Sequence, residues 1–528
     1  MNFNTKKITK YTLPILSGIL IGTSYIPFPA WAILFCFAPL WYFWIYKATS
    51  LKDILWGGFL TQFIFSIIGF HWIFHVSHEF GHIPYPISIF LLILFATLQH
   101  LFIPGMGWLV YIIRTKWKFD NPLLLLLLIA SFQFLFEYYY PTLFQWHLGY
   151  TTFYSKIPIF HLADIIGFHG IGFLLLISNA LVAYFFTFYP DRNKIFISCL
   201  FLLVSFLFLN FLGSYHGSKW NKKLTRELEI SAIQANIGNL EKIYAEQGRG
   251  FQDYITDTFI KMSDQAIVEN PKLQILVWPE SAIPEYMDEH LIKNNLHTFR
   301  VQKVLQFLRR SQKIVITGAY SKQNEKAYNS LFVLGPQAKQ LSPPYLKTNL
   351  LAFGEYTPFS DLFPVLKTIS PAGEGFTRGI GPQTLVLNDS SQLKLGPQIC
   401  YESLDPLFTQ QEVLTGAQVL VNLTNDSWFG PYSEPYQHLY MTLARAIENR
   451  RPLVRSTNTG FTTAIEASGE ILALSPLFTP WIGHFKIHYS DNPPLTFFTR
   501  YGHYLPLIVL IFIIGVIGCG IIQRNKKS

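Results

Sequence analysis

The chain has 528 residues, half of them hydrophobic, 14% charged and 17% aromatic, with a formal net charge of +9. That length accommodates more than one domain, and so apolar a balance excludes a wholly soluble enzyme, while a long polar middle excludes a wholly membrane-embedded protein. The basic residues gather at the ends of apolar segments rather than in one patch, a pattern of membrane topology and not of nucleic-acid binding.

In chain order, apolar stretches close to the ~20 residues needed to cross a bilayer fall at 11–28, 30–46, 54–75, 86–113, 121–139, 170–189, 194–213 and 503–523. They predict a polytopic α-helical membrane domain of about eight transmembrane helices. The first two, parted by "PFPA", are expected to form a tight hairpin, and the fourth to tilt or break near Pro104 and Gly105. No small-residue cleavage site precedes a soluble domain, so the first span is expected to be retained. Lys6, Lys7 and Lys10, Lys47 and Lys52, Arg114, Lys116 and Lys118, Arg192 and Lys194, and Arg524, Lys526 and Lys527 then share one side, with Lys156 the exception. By the positive-inside rule both termini are cytoplasmic. The division expected is 1–213 with seven spans, a polar domain over 214–502, and a final span with its tail over 503–528. An odd number of spans precedes 214–502, which in a bacterium puts that domain on the periplasmic face of the inner membrane.

Within 214–502 the pattern is α/β. Strand-like runs are "LEISAIQAN", "LQILVWPES", "KIVITGAYS", "NSLFVLGP", "LKLGPQIC", "AQVLVNLTN", "PLVRSTNTG" and "TTAIEASG", and helical patterns lie at 249–268, 298–310 and 433–449. They predict a two-layer sheet core flanked by helices.

Three places there can carry chemistry. In "VWPESAIPEY" an apolar strand ends at Trp278-Pro279 and presents Glu280, a carboxylate placed to act as a general base; the bland alternative is a surface glutamate. In "YLKTNLLAFGEYTPF", Lys347 and Glu355 flank an apolar stretch in which Gly354 permits a tight turn; such a lysine stabilises an oxyanion or thiolate, or is simply solvated. In "GPQICYESLDP", Cys400 ends a strand and Tyr401 and Glu402 follow it. A thiolate is a potent nucleophile, whereas a lone buried cysteine is commonly inert packing. The four cysteines, Cys36, Cys199, Cys400 and Cys519, match neither a zinc site nor a disulfide framework, and Cys400 alone lies in the polar part, so no disulfide forms there.

A Glu, a Lys and a Cys in that order, each near a strand end, resemble the nitrilase superfamily over 228–488. Together with the spans, the stretches "WHLGY" (146–150), "QANIG" (234–238), "WPESAIP" (278–284), "LLAFGEYTPF" (350–359), "ICYES" (399–403), "NLTNDSWFG" (422–430) and "RPLVRSTNTG" (451–460) resemble the apolipoprotein N-acyltransferase family. The resemblance implies an α-β-β-α sandwich, with Glu280 as general base, Lys347 as oxyanion-stabilising lysine and Cys400 as nucleophile, and with Glu355, Tyr401 and Glu402 as supporting or substrate-binding residues. It implies acyl transfer from a membrane phospholipid such as phosphatidylethanolamine to the N-terminal amine of an S-diacylglyceryl cysteine on an apolipoprotein, through a thioester on Cys400. It implies no cofactor, no metal, no nucleic-acid partner and a monomer. Many relatives have His-Leu-Val-Pro-Phe-Gly-Glu where this chain has Asn349 to Glu355, with the spacing from Lys347 kept. Where relatives carry a tryptophan after the "QxNI" strand, the nearest aromatic here is Tyr244.

Two other functions fit parts of the sequence. A membrane-tethered amidase or nitrilase would use water as acceptor, but leaves seven preceding spans without a purpose. A transporter with a regulatory domain would need ionisable residues in mid-span, and Glu137 lies near a span end. His71, His75, His78 and His82 recur at helical spacing and could present a metal site, against which stand an interfacial position and Gly81 ending the helix. Arg445, Arg450, Arg451 and Arg455 form a basic group for which ion pairs are the plain reading and lipid headgroups the alternative. The glycine-rich 373–381 lacks a Walker lysine and suits a mobile loop over the site.

Overall fold

The structure is a computed structural model that describes residues 10–525 except 82, 118, 120, 221–224, 239–250, 295–296, 353, 361 and 366–374. Lys6, Lys7, His82, Lys118, Tyr244, Lys526, Lys527 and the first two positions of the 373–381 stretch therefore lie outside the described residues. The chain divides into two compact units, one of 1–217 with 501–528, the other 218–500.

The first unit is helical. Among the described residues six helical segments are long and apolar enough to cross a membrane: Leu51–Gly69, Tyr85–Lys116, Pro122–Tyr139, Pro158–Phe188, Arg192–Gly217 and Phe497–Cys519. The expected first two spans are not among them. Their place holds a helix of 11 residues, Thr12–Gly22, then turns, then Ala38–Tyr42 running into a π-helical turn, Phe43–Lys47. The chain there folds on Pro27 and Pro29, which supply no amide hydrogen to continue a helix. The segment expected to break near Pro104 consists of two helices, Tyr85–Leu98 and Phe102–Lys116. The break falls just ahead of Pro104 and so places that proline in a first turn, where its missing N–H has no intrahelical partner to lose. Gly167, at φ +69°, kinks Ala163–Phe185 in a left-handed conformation suited to glycine. Glu137 is engaged locally, with Gln133 Nε2 donating to it at 2.6 Å and His147 Nδ1 3.9 Å away. His71 Nδ1 and His78 Nδ1 bond the carbonyls of Ile68 and Ile83.

The second unit is built on two sheets. Strands β1 (Arg226–Gln234), β2 (Ile275–Val277), β3 (Ile283–Tyr286), β4 (Ile314–Gln323), β5 (Lys326–Leu334) and β6 (Tyr345–Leu346) belong to the first. Strands β7 (Leu385–Val386), β8 (Lys394–Ile399), β9 (Val419–Thr424), β10 (Leu453–Thr457), β11 (Thr463–Ile465) and β12 (Ile471–Leu474) form the second. Finally β13 (Trp481–Tyr489) returns to the first sheet, antiparallel to β1. The orders are β13-β1-β2-β4-β5-β6, with β3 also on β4, and β12-β11-β10-β9-β8-β7.

The inner faces meet in one apolar core: Ile230, Val277, Ile316 and Val333 from the first sheet, Leu395, Val421, Leu423 and Val454 from the second. The outer face of the first sheet, through Leu276, Trp278, Val315 and Phe332, packs on Ile255 and Phe259 of helix Gln252–Glu269 and on Val304 and Leu308 of helix Phe299–Ser311. Helices Pro406–Leu414 and Glu434–Asn449 cover β8 and β10 from the other side. This is the expected α-β-β-α sandwich. Strands β2, β8, β9 and β10, each with a parallel neighbour, are buried at every position but one, the first residue of β8, as parallel strands covered on both faces are, and they bury polar Gln398, Asn422, Thr424, Arg455, Ser456 and Thr457 along with their apolar residues.

Candidate active site

The three sequence-predicted positions all lie just beyond strand ends. Glu280 follows β2. Its loop passes hard against β4 at Gly318, where a Cβ would stand 2.5 Å from Ser281 N and 2.7 Å from Glu280 Cα. Trp278 anchors the approach: its indole is fully buried, stacks on Phe259 with centroids 5.3 Å apart, and donates to Ser263 Oγ at 2.9 Å. Lys347 follows β6, its N–H donating to Asn329 O at 2.9 Å. Cys400 follows β8 at φ +56°, opening a short 3-10 turn, Cys400–Leu404.

Glu280, Lys347 and Glu355 converge. Lys347 Nζ donates to Glu280 Oε1 at 2.9 Å and to Glu355 Oε1 at 2.9 Å, with Glu355 Oε2 at 2.8 Å. Asn329 on β5, which sequence reasoning missed, donates Nδ2 to both carboxylates at 2.8 Å. Its only signal is a polar residue inside an apolar strand. Glu355 Oε2 also accepts from Leu351 N at 2.9 Å, closing the turn through Gly354. Gly354 itself has ordinary backbone angles, so this turn does not require glycine.

The three groups and the Cys400 thiol interact electrostatically inside protein: Lys347 is 2% exposed and Glu280 and Cys400 each 6%. Burial pushes Glu280 above its ordinary carboxylate value, with Glu355 adding to the rise and Lys347 and Asn329 opposing it. Burial lowers the tendency of Lys347 to hold its proton, but Glu280, Glu355 and Cys400 outweigh it and raise Lys347 well above its usual range. Cys400 is pushed well above an ordinary thiol by burial and by Glu280, against Lys347 and the Thr424 hydroxyl. Lys347 thus acts in the expected direction, favouring the thiolate, while burial and Glu280 act against ionisation.

Tyr401 and Glu402 engage partners other than that carboxylate–lysine group. Glu402 is fully buried and accepts from Tyr345 Oη (2.8 Å), Thr348 N (2.6 Å), Asn349 N (3.1 Å) and Ile399 N (2.7 Å), tying the Cys400 turn to the Lys347 loop. Burial nevertheless pushes it up to about 7. Tyr401 donates to Glu434 Oε1 and stacks on His438, centroids 4.6 Å apart. The four arginines are all buried: Arg455 pairs with Asp426 at 2.7 Å, Arg445 with Glu448 at 3.2 Å, and Arg450 and Arg451 donate to backbone carbonyls. Such burial leaves no surface for lipid headgroups or nucleic acid. The described part of the 373–381 stretch is pinned rather than free, with Phe376 N–H on Glu355 O and Gly379 N–H on Lys347 O, each at 2.8 Å.

A two-sheet sandwich with a buried glutamate–lysine–cysteine group at its strand ends defines a domain of the carbon-nitrogen hydrolase type, and the sequence pattern of that family matches residues 228–484. The pattern of the apolipoprotein N-acyltransferase N-terminal domain matches residues 17–181. An apolipoprotein N-acyltransferase of Bdellovibrio bacteriovorus is 45% identical over 100% of this chain and 97% of its own length. Proteins of the same name from Geobacter metallireducens and Shewanella oneidensis are each 29% identical, over 93% and 98% of this chain and 91% and 96% of theirs. The chain belongs to the apolipoprotein N-acyltransferase family and is an acyltransferase. Among solved structures, a carbon-nitrogen hydrolase from Helicobacter pylori G27 superposes at a TM-score of 0.37 and 16% identity, over 49% of this chain and 89% of that one, a likeness too low to add to the assignment.

Proposed function

We propose that this enzyme of lipoprotein maturation moves a fatty acyl chain from a membrane phospholipid to the α-amino group of an S-diacylglyceryl cysteine at an apolipoprotein N-terminus, through a thioester on Cys400. The observation that carries the reading is the buried Lys347 ammonium held between Glu280 and Glu355 with the Cys400 thiol beside them.

In the first half-reaction Glu280 takes the thiol proton as Sγ attacks the ester carbonyl carbon. The Lys347 ammonium faces the developing oxyanion, where a fixed charge in a dry site is worth most. Collapse breaks the ester C–O bond, the alkoxide takes the proton from Glu280, and a lysophospholipid leaves. In the second half-reaction the neutral amine, whose pKa near ~8 leaves a usable fraction at neutral pH, attacks the thioester. Glu280 takes the proton that the nitrogen of the tetrahedral adduct loses, the C–S bond breaks, and Glu280 returns that proton to the leaving sulfur, restoring the thiol as the amide forms. A thioester is less stable than an amide, which drives the second step forward.

The donor in this reading is a glycerophospholipid such as phosphatidylethanolamine, attacked at its sn-1 ester. Two lipid substrates give the long apolar helices their purpose, since a hydrolase using water would need a single anchor. Exposed apolar side chains a few residues beyond Glu355, Phe359 (72% exposed) and Leu362 (73%), suit acyl chains better than water. The six long helices and the family make this a protein of the bacterial inner membrane; the reading adds a periplasmic catalytic unit, cytoplasmic termini and a monomer.

The test supplies phospholipid with a labelled acyl chain alone. A hydroxylamine-sensitive label should appear on wild type, be absent from Cys400→Ala, and move to an added diacylated lipopeptide. Transfer that needs both substrates together, with no labelled enzyme ever trapped, would sink the two-step scheme, and release of free fatty acid in place of lipopeptide acylation would sink the acceptor.

A further inference from the structure

A cysteine at φ +56° is in a conformation that residues with a Cβ rarely adopt and that persists where the surroundings over-determine it. The surroundings of Cys400 do so with charge. Its carbonyl accepts from Asn422 Nδ2 at 3.1 Å and from Ser403 Oγ at 3.0 Å. Both arms lead to the same guanidinium: Arg455 Nη1 donates to Asn422 Oδ1 at 2.6 Å and to Thr442 Oγ1 at 3.2 Å, and Thr442 Oγ1 lies 2.7 Å from Ser403 Oγ. Arg455 Nη2 donates to Asp426 Oδ2 at 2.7 Å, and Asp426 Oδ1 bonds His438 Nδ1 at 2.9 Å. The His438 ring then stacks on Tyr401 at 20° between planes, and Tyr401 donates to Glu434. Asp426 Oδ1 also accepts at 3.2 Å from the Thr424 hydroxyl, which faces the Cys400 thiol. Asn422, Asp426, His438, Thr442 and Arg455 are all within 1% of complete burial.

We propose that Asp426 and Arg455 are positioning residues for Cys400: their ion pair grips the nucleophile's carbonyl through two hydrogen-bonded arms and the next residue through His438 and Tyr401, holding the left-handed turn that aims Sγ. This rests on the reading of Cys400 as the nucleophile. A buried ion pair seldom returns more stability than a well-packed apolar pair. A pair whose arms end on residues 400, 401 and 403 is accounted for by geometry instead. Asp426, Glu434 and His438 also stand close enough to hold a metal ion. But both Asp426 oxygens are engaged, one by a guanidinium that would repel a cation, and Glu434 is engaged by Tyr401.

The experiment uses the full chain in detergent with Cys36, Cys199 and Cys519 replaced by serine. It measures single-turnover acylation of Cys400 by labelled phospholipid, its alkylation rate with iodoacetamide, kcat, KM and thermal midpoint. Asp426→Asn and Arg455→Met should each slow acylation and alkylation by about tenfold to a hundredfold, with KM held within about twofold, because misplacing an attacking atom by an ångström costs that much. Arg455→Lys, which reaches fewer partners, should recover part of the rate. The double variant Asp426→Asn/Arg455→Met leaves no unpaired buried charge and should fold yet stay slow. Arg451→Met removes a buried arginine bound to carbonyls at the far end of β9 and should lower the thermal midpoint while leaving the Cys400 rates unchanged. Asp426→Asn and Arg455→Met within about twofold of the parent rate, a double variant at full rate, or an equal slowing in Arg451→Met would overturn the proposal. So would a stoichiometric bound metal whose removal reproduces the loss. Cys400→Ala, run in parallel, separates the two ideas: if it still turns over, the nucleophile assignment itself has failed.

Discussion

Glu280 must be ionised to accept a proton, and it sits where burial and Glu355 make ionisation harder. Activity is therefore expected to fall as pH drops through a value above the ordinary 4.5 of a glutamate. Lys347, raised above its usual range, keeps its charge through the mildly alkaline region, so deprotonation of this lysine should impose no loss below about pH 10. A kcat/KM profile over pH checks both, and an acid limb centred at or below 4.5 would count against Glu280 as the base. Glu402 makes a different prediction. Its folded value, pushed up to about 7 by burial against four donors, lies above the ordinary 4.5, so the folded state holds the proton more tightly. That stabilises the fold fully below 4.5 and is lost as pH rises through 7, at ~1.4 kcal/mol per unit or about 3 kcal/mol in all. Between pH 4.5 and 8, thermal midpoints of wild type should fall relative to those of Glu402→Gln. A constant gap would show that Glu402 is ionised throughout. Glu280, Lys347, Glu355 and Cys400 were all legible from the chain, because each stands in a motif at a strand end. Asn329, Asp426, His438 and Arg455 were not read as parts of the site, because what joins them to it is contact between elements up to 49 positions apart.

Between elements, β4 approaches the Glu280 loop closely at Gly318. Gly318→Ala would drive a methyl into Ser281 N and Glu280 Cα, both backbone atoms that cannot swing aside. It should lower kcat by at least about tenfold through displacement of the base, while circular dichroism shows the sandwich intact. A variant with full activity would mean that the loop yields freely. Eight strand-like runs and three helical patterns were legible in the polar segment, and each has its element. The short β3, β6, β7 and β12, two to four residues long, escaped because pairing partners rather than local pattern decide them. The β13 strand was missed despite its alternation of inward Phe485, Ile487 and Tyr489 with outward Lys486, whose polar face hides the signal of a buried edge.

At the scale of the whole molecule, the orientation rests on the lysines and arginines that flank the apolar segments. Lys261 lies exposed on helix Gln252–Glu269 and is a suitable reporter. In a chain with no other reactive cysteine, Lys261→Cys should react with a membrane-impermeant thiol reagent in intact spheroplasts. Labelling only after the membrane is broken would reverse the topology. Among the described residues six helical segments are long and apolar enough to cross a membrane, and the other apolar stretches are broken up, because hydropathy measures apolar length and not helical continuity. Residues 11–46 are apolar enough throughout, but prolines and turns divide them.

The sequence by itself determined the class of the two units, the order of Glu280, Lys347 and Cys400 along the chain and the family, since these depend on local composition, period and motif. Only the tertiary structure decided that Glu280 and Glu355 share one lysine, that Asn329 bridges them, and that the Cys400 side chain is buried. The same holds for the buried Asp426–Arg455 pair and its arms onto the Cys400 turn. Those are properties of distance and desolvation, and a chain acquires them when strands remote in sequence bring charged groups together out of water.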